Sequence, residues 1–176
     1  MRRQFDAEVT WLPFDLHPEY PPGGIPVAEL HRRYGIEAGP RDPMRERFAT
    51  AGLEYHRPDI VPNTRLALRM SEFAREEGVH DRFHDRLMDA YWAEATNIGD
   101  ADELRLLAAE IGLDETGVER VIADPVSYLD RVESSTRQAQ SLGIGGIPAF
   151  LLDRRLLVLG AQPLEIFRRA FAELAA

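Results

Sequence analysis

The amino-acid sequence predicts an α/β fold in which an all-helical domain interrupts a strand-bearing one. Two short apolar runs, residues 149–152 and 156–159, flank an Asp-Arg-Arg turn and predict a hairpin of two buried strands. Near the start of the chain, alternation over residues 6–14 places Val9 and Trp11 on one face, which is typical of a further strand. Between these regions, residues 63–142 carry apolar side chains at helical spacing.

The first part of the chain is predicted to hold that strand and two helices. The strand spans residues 6–14 and ends at or soon after Pro13, because proline has no N–H to donate to a ladder. Helices follow at residues 27–34 and 43–53.

Polar caps divide the helical region into separate helices. Asn63 can cap the first, Asp100 opens the third with a capping-box pattern, and Asp114 caps the next. A last apolar stripe runs over residues 128–142. These signals predict the helical domain at residues 63–142.

A glycine-rich loop, Gly-Ile-Gly-Gly-Ile-Pro, joins the helical region to the hairpin. Gly143 fits the left-handed position just past a helix end. Gly145 and Gly146 leave the backbone bare, so that a partner chain or ligand can approach it. Only about one X–Pro bond in twenty is cis, and on that ground the pattern at Pro148 favours an ordinary trans bond.

The order of loop, Ile-Pro, hairpin, Gly-Ala-Gln-Pro at residues 160–163 and an amphipathic C-terminal helix resembles the second half of a thioredoxin fold. More narrowly it is similar to the DsbA family in its FrnE-like branch. The resemblance implies a thioredoxin-like domain, incomplete, at residues 1–62 and 143–176, with residues 63–142 as its helical insertion. It also implies that Pro148 is cis and flanks the redox site.

The chain contains no cysteine, and thiol–disulfide exchange requires a thiolate. Residues 11–18 are similar to the segment that completes the second core strand of FrnE-like proteins. In those proteins a first strand, a Cys-Pro-x-Cys turn and a long helix come earlier, whereas only residues 1–5 precede the predicted strand here. We therefore expect the first core strand and helix, roughly 25 residues, to be missing from this sequence.

Loss of that central strand would leave a gap of roughly 9.6 Å between its neighbours. The Val9 strand could pair directly with the hairpin, a second chain could fill the gap, or the native polypeptide could start upstream. We favour the upstream start, and mass spectrometry of the cellular protein showing Met1 as the first residue would contradict it.

Composition narrows the function. The net charge of −9 argues against a nucleic-acid surface, which requires a basic face. No apolar run is long enough to span a membrane and no secretory leader is recognisable, so we expect a cytoplasmic protein. His80 and His84 stand four residues apart, but the absence of a third ligand nearby argues against zinc.

The resemblance implies a thiol–disulfide oxidoreductase acting on protein or small thiols, inactive as written. The substrate-binding candidates are the backbone of Gly146, Ile147 and Pro148, by strand-like pairing, and Asn63, for which a plain helix start explains the sequence equally well. We expect no catalytic residue and no metal ligand in this chain. The expected partners are a thiol or disulfide substrate, with a homodimer as an option.

Two alternatives stay open. The first is a glutathione-dependent enzyme similar to 2-hydroxychromene-2-carboxylate isomerases and kappa-class glutathione transferases, with glutathione as the only cofactor considered. Its contacts would lie at Asn63 and in the turn at residues 97–100. The second is a non-catalytic binding module that keeps the loop as a peptide dock.

Overall fold

The computed structural model describes residues 5–36, 42–56 and 58–175. Within them lie eight helices and two two-stranded sheets. In chain order the elements are β1 (Ile25–Pro26), α1 (Val27–Tyr34), α2 (Pro43–Ala51), β2 (Ile60–Val61), α3 (Arg65–Glu76), α4 (His80–Trp92), α5 (Ala101–Glu110), α6 (Glu115–Ala123), α7 (Leu129–Ser141), β3 (Ala149–Leu152), β4 (Leu156–Leu159) and α8 (Leu164–Leu174).

The chain divides into two compact units, which are described separately. The hairpin unit comprises Met1–Leu16 and Glu133–Ala176, and the helical unit comprises His17–Val132. This division by packing does not test the domain boundaries predicted at residues 62/63 and 142/143, which stay a prediction. The structure is mixed α/β, in agreement with the predicted fold class.

The helical unit has the larger core, formed by α3 to α6. Its largest fully buried members are Met70, Phe73, Phe83, Leu104 and Val121. Carboxylate caps fix where two of these helices begin. The Asp100 side chain accepts from the N–H groups of Asp102 and Glu103, and Asp114 accepts from that of Gly117.

A small antiparallel sheet in the same unit has no counterpart in the sequence predictions. Ile25 pairs with Val61, and Pro26 pairs with Ile60. Gly24 lies against this sheet with φ +73°, and a Cβ there would come within 2.6 Å of the Val61 carbonyl oxygen. Two-residue strands beside prolines have no alternating pattern from which a strand could be predicted.

The hairpin unit is built on the predicted β3–β4 hairpin. Four directly opposed pairs, from Ala149 with Leu159 to Leu152 with Leu156, set its register. Its inner face packs on α8, where the Phe150 and Phe167 rings meet edge to face at 4.9 Å. The Phe5 ring stacks on Phe171 at 4.3 Å, which ties the N-terminal segment to the same helix.

The prediction of a strand at residues 6–14 is wrong, because residues 6–15 form neither helix nor strand. The side chains still alternate in exposure, with Phe5, Ala7 and Val9 half-buried and Asp6, Glu8 and Thr10 exposed. A strand is defined by its ladder, and within the described ranges β3 has only β4 as a neighbour. The alternation ends at Thr10, since Trp11 and Leu12 are exposed as well, so the pattern located partly buried side chains but no strand.

None of the helices in the described residues is long and apolar enough to cross a bilayer.

Candidate functional site

The glycine-rich loop begins at a capped helix end. The Gly143 N–H donates to the Gln140 carbonyl and the Ile144 N–H to the Ala139 carbonyl, the hydrogen-bond pattern of a Schellman motif. Gly143 has φ +79°, as the sequence predicted for a left-handed position. Ile144 is buried, so α7 and this isoleucine fix where the loop starts.

The next four residues reach solvent. Gly145 and Pro148 are exposed, Gly146 is half-buried, and Ile147 is 58% exposed. The Ile147–Pro148 peptide bond is cis. A Cβ built on Gly145 or Gly146 would meet nothing within 4 Å, and neither residue has a positive φ. The fold therefore leaves room for side chains at both glycines.

The far end of the loop is held by the residues that follow β4. The Gly160 N–H donates to the Pro148 carbonyl at 2.8 Å. The Gln162 side chain donates to the Leu159 carbonyl at 2.8 Å, which fixes the turn that carries Gly160. Sequence reasoning treated Gly160 only as a strand break. A φ of +77° explains why residue 160 is a glycine, but its hydrogen bond to Pro148 can be recognised only in the structure.

The loop has no side chain that can react. Residues 142–152 contain no titratable or nucleophilic side chain. What it presents is the backbone of Gly146 and Ile147 together with the exposed side chains of Ile147 and Pro148, because Pro148 has no N–H and its carbonyl already accepts from Gly160. Such groups suit an extended peptide, which pairs through its main chain. The candidate residues Gly146, Ile147 and Pro148 thus lie together in the hairpin unit.

Asn63, the fourth candidate, belongs to the helical unit. Its side-chain oxygen accepts from the Arg65 N–H at 3.0 Å, but Asn63 lies one residue before Thr64, which is the N-cap of α3 and makes no side-chain cap hydrogen bond. Its side-chain nitrogen donates to the Tyr20 carbonyl at 2.6 Å, across 43 residues of sequence. Both ends of the amide therefore have structural partners.

The turn at residues 97–100 lies next to Asn63. A Cβ on Gly99 would fall 2.7 Å from the Asn63 carbonyl oxygen, so only glycine fits this close approach. The Asn97 side chain accepts from the Gly99 N–H at 3.1 Å and holds the turn. The structure thus brings together the two places that the glutathione alternative named.

The imidazoles of His80 and His84 stack at 6.1 Å. Around them, and elsewhere in the part of the chain that the structure describes, no group of three His, Cys, Asp or Glu side chains is arranged to hold a metal ion.

Fold and site together define a thioredoxin-like protein whose exposed Ile-Pro loop lacks an accompanying cysteine. The sequence matches the DSBA-like thioredoxin domain over residues 1–172, and the chain belongs to that family.

Individual relatives agree with this assignment. The crystal structure of a probable DsbA oxidoreductase, SCO1869 from Streptomyces coelicolor, has a TM-score of 0.84 and 34% identity, covering 91% of this chain and 72% of that one. An uncharacterized protein of Bacillus subtilis, YwbO, is 29% identical over 171 residues, which is 96% of this chain and 82% of the relative. A 2-hydroxychromene-2-carboxylate isomerase has a TM-score of 0.69 at 18% identity, covering 99% of this chain and 84% of the isomerase. At that identity the likeness shows the fold alone.

Proposed function

We propose that this chain is a FrnE-like member of the thiol–disulfide oxidoreductases that binds a thiol or disulfide substrate, in extended form, at Gly146, Ile147 and Pro148. This chain would bind the substrate without reacting with it, because thiol–disulfide exchange needs a thiolate and the sequence contains no cysteine. Its partners would include a second copy of itself, and its compartment would be the cytoplasm.

The exposed loop is the observation that carries the proposal. Ile147 is 58% exposed beside an exposed Pro148, so a substrate that covers this pair would be stabilised by the burial of apolar surface. The bare backbone at Gly146 lets another main chain approach.

Substitution of Gly146 tests the proposal. Because a Cβ there meets nothing, Gly146→Val should leave stability nearly unchanged while its branched side chain obstructs an approaching peptide. The probe is a fluorescent decapeptide with one central S-methylated cysteine, followed by anisotropy. We expect Gly146→Val to raise Kd about tenfold, a loss of about 1.4 kcal/mol.

Gly23→Val is the matched control, since a Cβ on Gly23 also meets nothing and that residue belongs to the helical unit. Equal peptide affinity for the Gly146 variant and the unaltered chain would contradict the proposed site. Insulin reduction faster than in buffer would contradict the statement that this chain performs no exchange.

A glutathione-dependent isomerase or transferase is the second candidate. The observation that favours it is the close approach of Gly99 to the Asn63 carbonyl oxygen, which brings together two segments that are far apart in sequence. Reduced glutathione at 100 times its Kd would add about 2.7 kcal/mol to stability. Thermal denaturation with and without glutathione tests this, and an unchanged melting temperature at millimolar ligand would rule against it.

A further inference from the structure

A histidine is buried at the corner between α3 and α4. His80 is the first residue of α4, and residues 77–79 alone separate the two helices. Gly78 turns the chain there with φ +74°. The Val79 N–H donates to the Ala74 carbonyl at 2.8 Å, and the Val79 side chain packs against the helical core. Hydrogen bonding and packing therefore fix the backbone that carries His80.

The imidazole of His80 lies against a permanent cation. Nη2 of Arg75 is 2.9 Å from Nε2 of His80. Guanidinium nitrogens can only donate, and arginine stays charged at every pH at which proteins are folded. Nε2 is therefore the unprotonated nitrogen of a neutral imidazole, and the ring proton is on Nδ1, which faces Asp81 at 3.5 Å. This arrangement requires an uncharged His80.

The same guanidinium holds a buried carboxylate. Nε of Arg75 donates to both carboxylate oxygens of Glu72, at 3.2 and 3.3 Å. The Glu72 side chain is 7% exposed, whereas that of Arg75 is 31% exposed. Arg75 thus contacts both Glu72 and His80 and already reaches water. We call Glu72, Arg75 and His80 the corner cluster.

Protonation of His80 is incompatible with this arrangement. A charged imidazole has two N–H donors, so the Nε2–H would face the Arg75 donor and neither could accept. The two positive charges would also repel each other. The start of α4 adds to the cost, because positive charge is unfavourable at a helix N-terminus. Since the corner fixes His80 and Arg75 is partly exposed, Arg75 is the residue that can move away.

The charged and titratable groups that face His80 come from both helices. α3 contributes Glu72 and Arg75, and α4 contributes Asp81 and His84, whose ring stacks on that of His80 at 6.1 Å. Asp81 lies on the Nδ1 side of the imidazole. Arg75 joins Glu72 to the Nε2 side, and a buried carboxylate is costly without a partner. Glu72 is therefore the acceptor for a proton on Nε2.

We propose that the corner cluster is a proton-operated switch, in which a protonated His80 replaces Arg75 as the partner of Glu72 and the Arg75 side chain moves into solvent. The proton is taken from water by Nε2, and no other covalent bond forms or breaks. Burial, and next the charge of Arg75, lowers the pKa of His80 below its ordinary 6.5, so the exchange occurs as the pH falls below that value. The switch presents a new cation on the helical unit and is independent of peptide binding at Gly146.

Nuclear magnetic resonance of the full chain tests the switch between about pH 8 and about pH 5, where histidine changes its charge. Imidazole nitrogen shifts distinguish the two neutral tautomers, and we expect His80 to carry its proton on Nδ1 at the upper end. As His80 titrates, the slowly exchanging Nε–H signal of Arg75 should be lost, because that donor leaves Glu72. Arg86 is the matched control. Its Nε–H donates to Glu110, and this hydrogen bond lowers the pKa of that carboxyl, so the Arg86 signal should persist.

Three variants separate the switch from a purely structural role. Arg75→Gln removes the repelling cation and should raise the pH at which His80 titrates. Glu72→Gln removes the charged acceptor and should lower that pH. His80→Gln cannot take up a proton and should keep the Arg75 Nε–H signal over the whole range.

An Nε2–H tautomer at the upper end of the pH range would overturn the proposal, because Arg75 could not then donate to the ring. An imidazole that stays neutral down to about pH 5 would also overturn it, as would an Arg75 signal that persists while His80 titrates. Loss of helical circular dichroism together with the Arg75 signal would mean unfolding instead of exchange and would equally contradict the switch. Titration of His80 with loss of the Arg75 signal and unchanged circular dichroism supports it.

Discussion

Gly117 in α6 allows a close contact with the buried ring of Phe73 in the helical core. A Cβ on Gly117 would lie 2.9 Å from two ring carbons of Phe73 and closer still to the tip of the ring. Nonbonded carbons prefer about 3.5–4.0 Å, so Gly117→Ala requires one side to move. Phe73 is 1% exposed and its ring lies 6.1 Å from that of Tyr128, which leaves it little freedom.

Two opposing effects set the size of the change. Alanine is a better helix former than glycine by about 1 kcal/mol, which would stabilise α6. Overpacking a filled core costs about 1–3 kcal/mol. Because the overlap is with a ring that cannot swing into solvent, we expect overpacking to win. The net loss in the free energy of unfolding should be about 1–2 kcal/mol.

Urea denaturation followed by circular dichroism measures this loss, and the melting temperature should fall by about 2–4 °C per kcal/mol. The control is the same change in a Phe73→Leu background, where the smaller side chain relieves the overlap. A double-mutant cycle should then show a coupling above about 0.5 kcal/mol. Stabilisation by Gly117→Ala, or an equal cost in both backgrounds, would refute the reasoning.

Three further changes test separate parts of the helical unit. The buried Arg69 donates to the carbonyls of Val121, Asp124 and Ser127, so Arg69→Met should lower the free energy of unfolding by about 3–5 kcal/mol. Urea titrations measure this change, and an unchanged free energy of unfolding would show that these hydrogen bonds do not stabilise the fold. Asp100→Ala should cost about 1 kcal/mol by removing the α5 cap, and an equal loss in the exposed Asp102→Ala would show that the cap is not responsible. Burial, together with the charge of Arg75, lowers the pKa of His80 below its ordinary 6.5. The folded chain therefore binds fewer protons than the unfolded chain, so the free energy of unfolding should decline as the pH falls through 6.5. His80→Gln should flatten that dependence, as measured by unfolding on either side of pH 6.5.

The sequence was most informative where one local interaction decides the backbone. Asp100 and Asp114 cap helices because their carboxylates reach N–H groups two or three residues on, which spacing alone reveals. Gly143 was assigned to a left-handed position for a similarly local reason. The hairpin turn at residues 153–155 separates two apolar runs and was predicted with its flanking strands.

Predictions failed where the outcome depends on residues far away in the chain. The segment around Val9 has the sequence period of a strand, but a strand requires a ladder that local sequence does not specify, and residues 6–15 form none. The sheet of Ile25 with Val61 joins segments 36 residues apart and shows no periodicity. Asn63 was predicted as a cap, but its bond to the Tyr20 carbonyl could be found only in the structure.

The composition of the loop limits how tightly it can bind. Each main-chain hydrogen bond made to a partner contributes about 0.5–1.5 kcal/mol net, and covering Ile147 adds at most about 1.5–3 kcal/mol. Two or three such bonds with one buried side chain fall between about 3 and 7 kcal/mol, which corresponds to dissociation constants from millimolar down to about 10 μM. The net charge of the helical unit gives no steering to a neutral peptide. A nanomolar Kd for the decapeptide would therefore mean that surface beyond Gly146, Ile147 and Pro148 takes part, while the Gly146→Val change would still cost about tenfold.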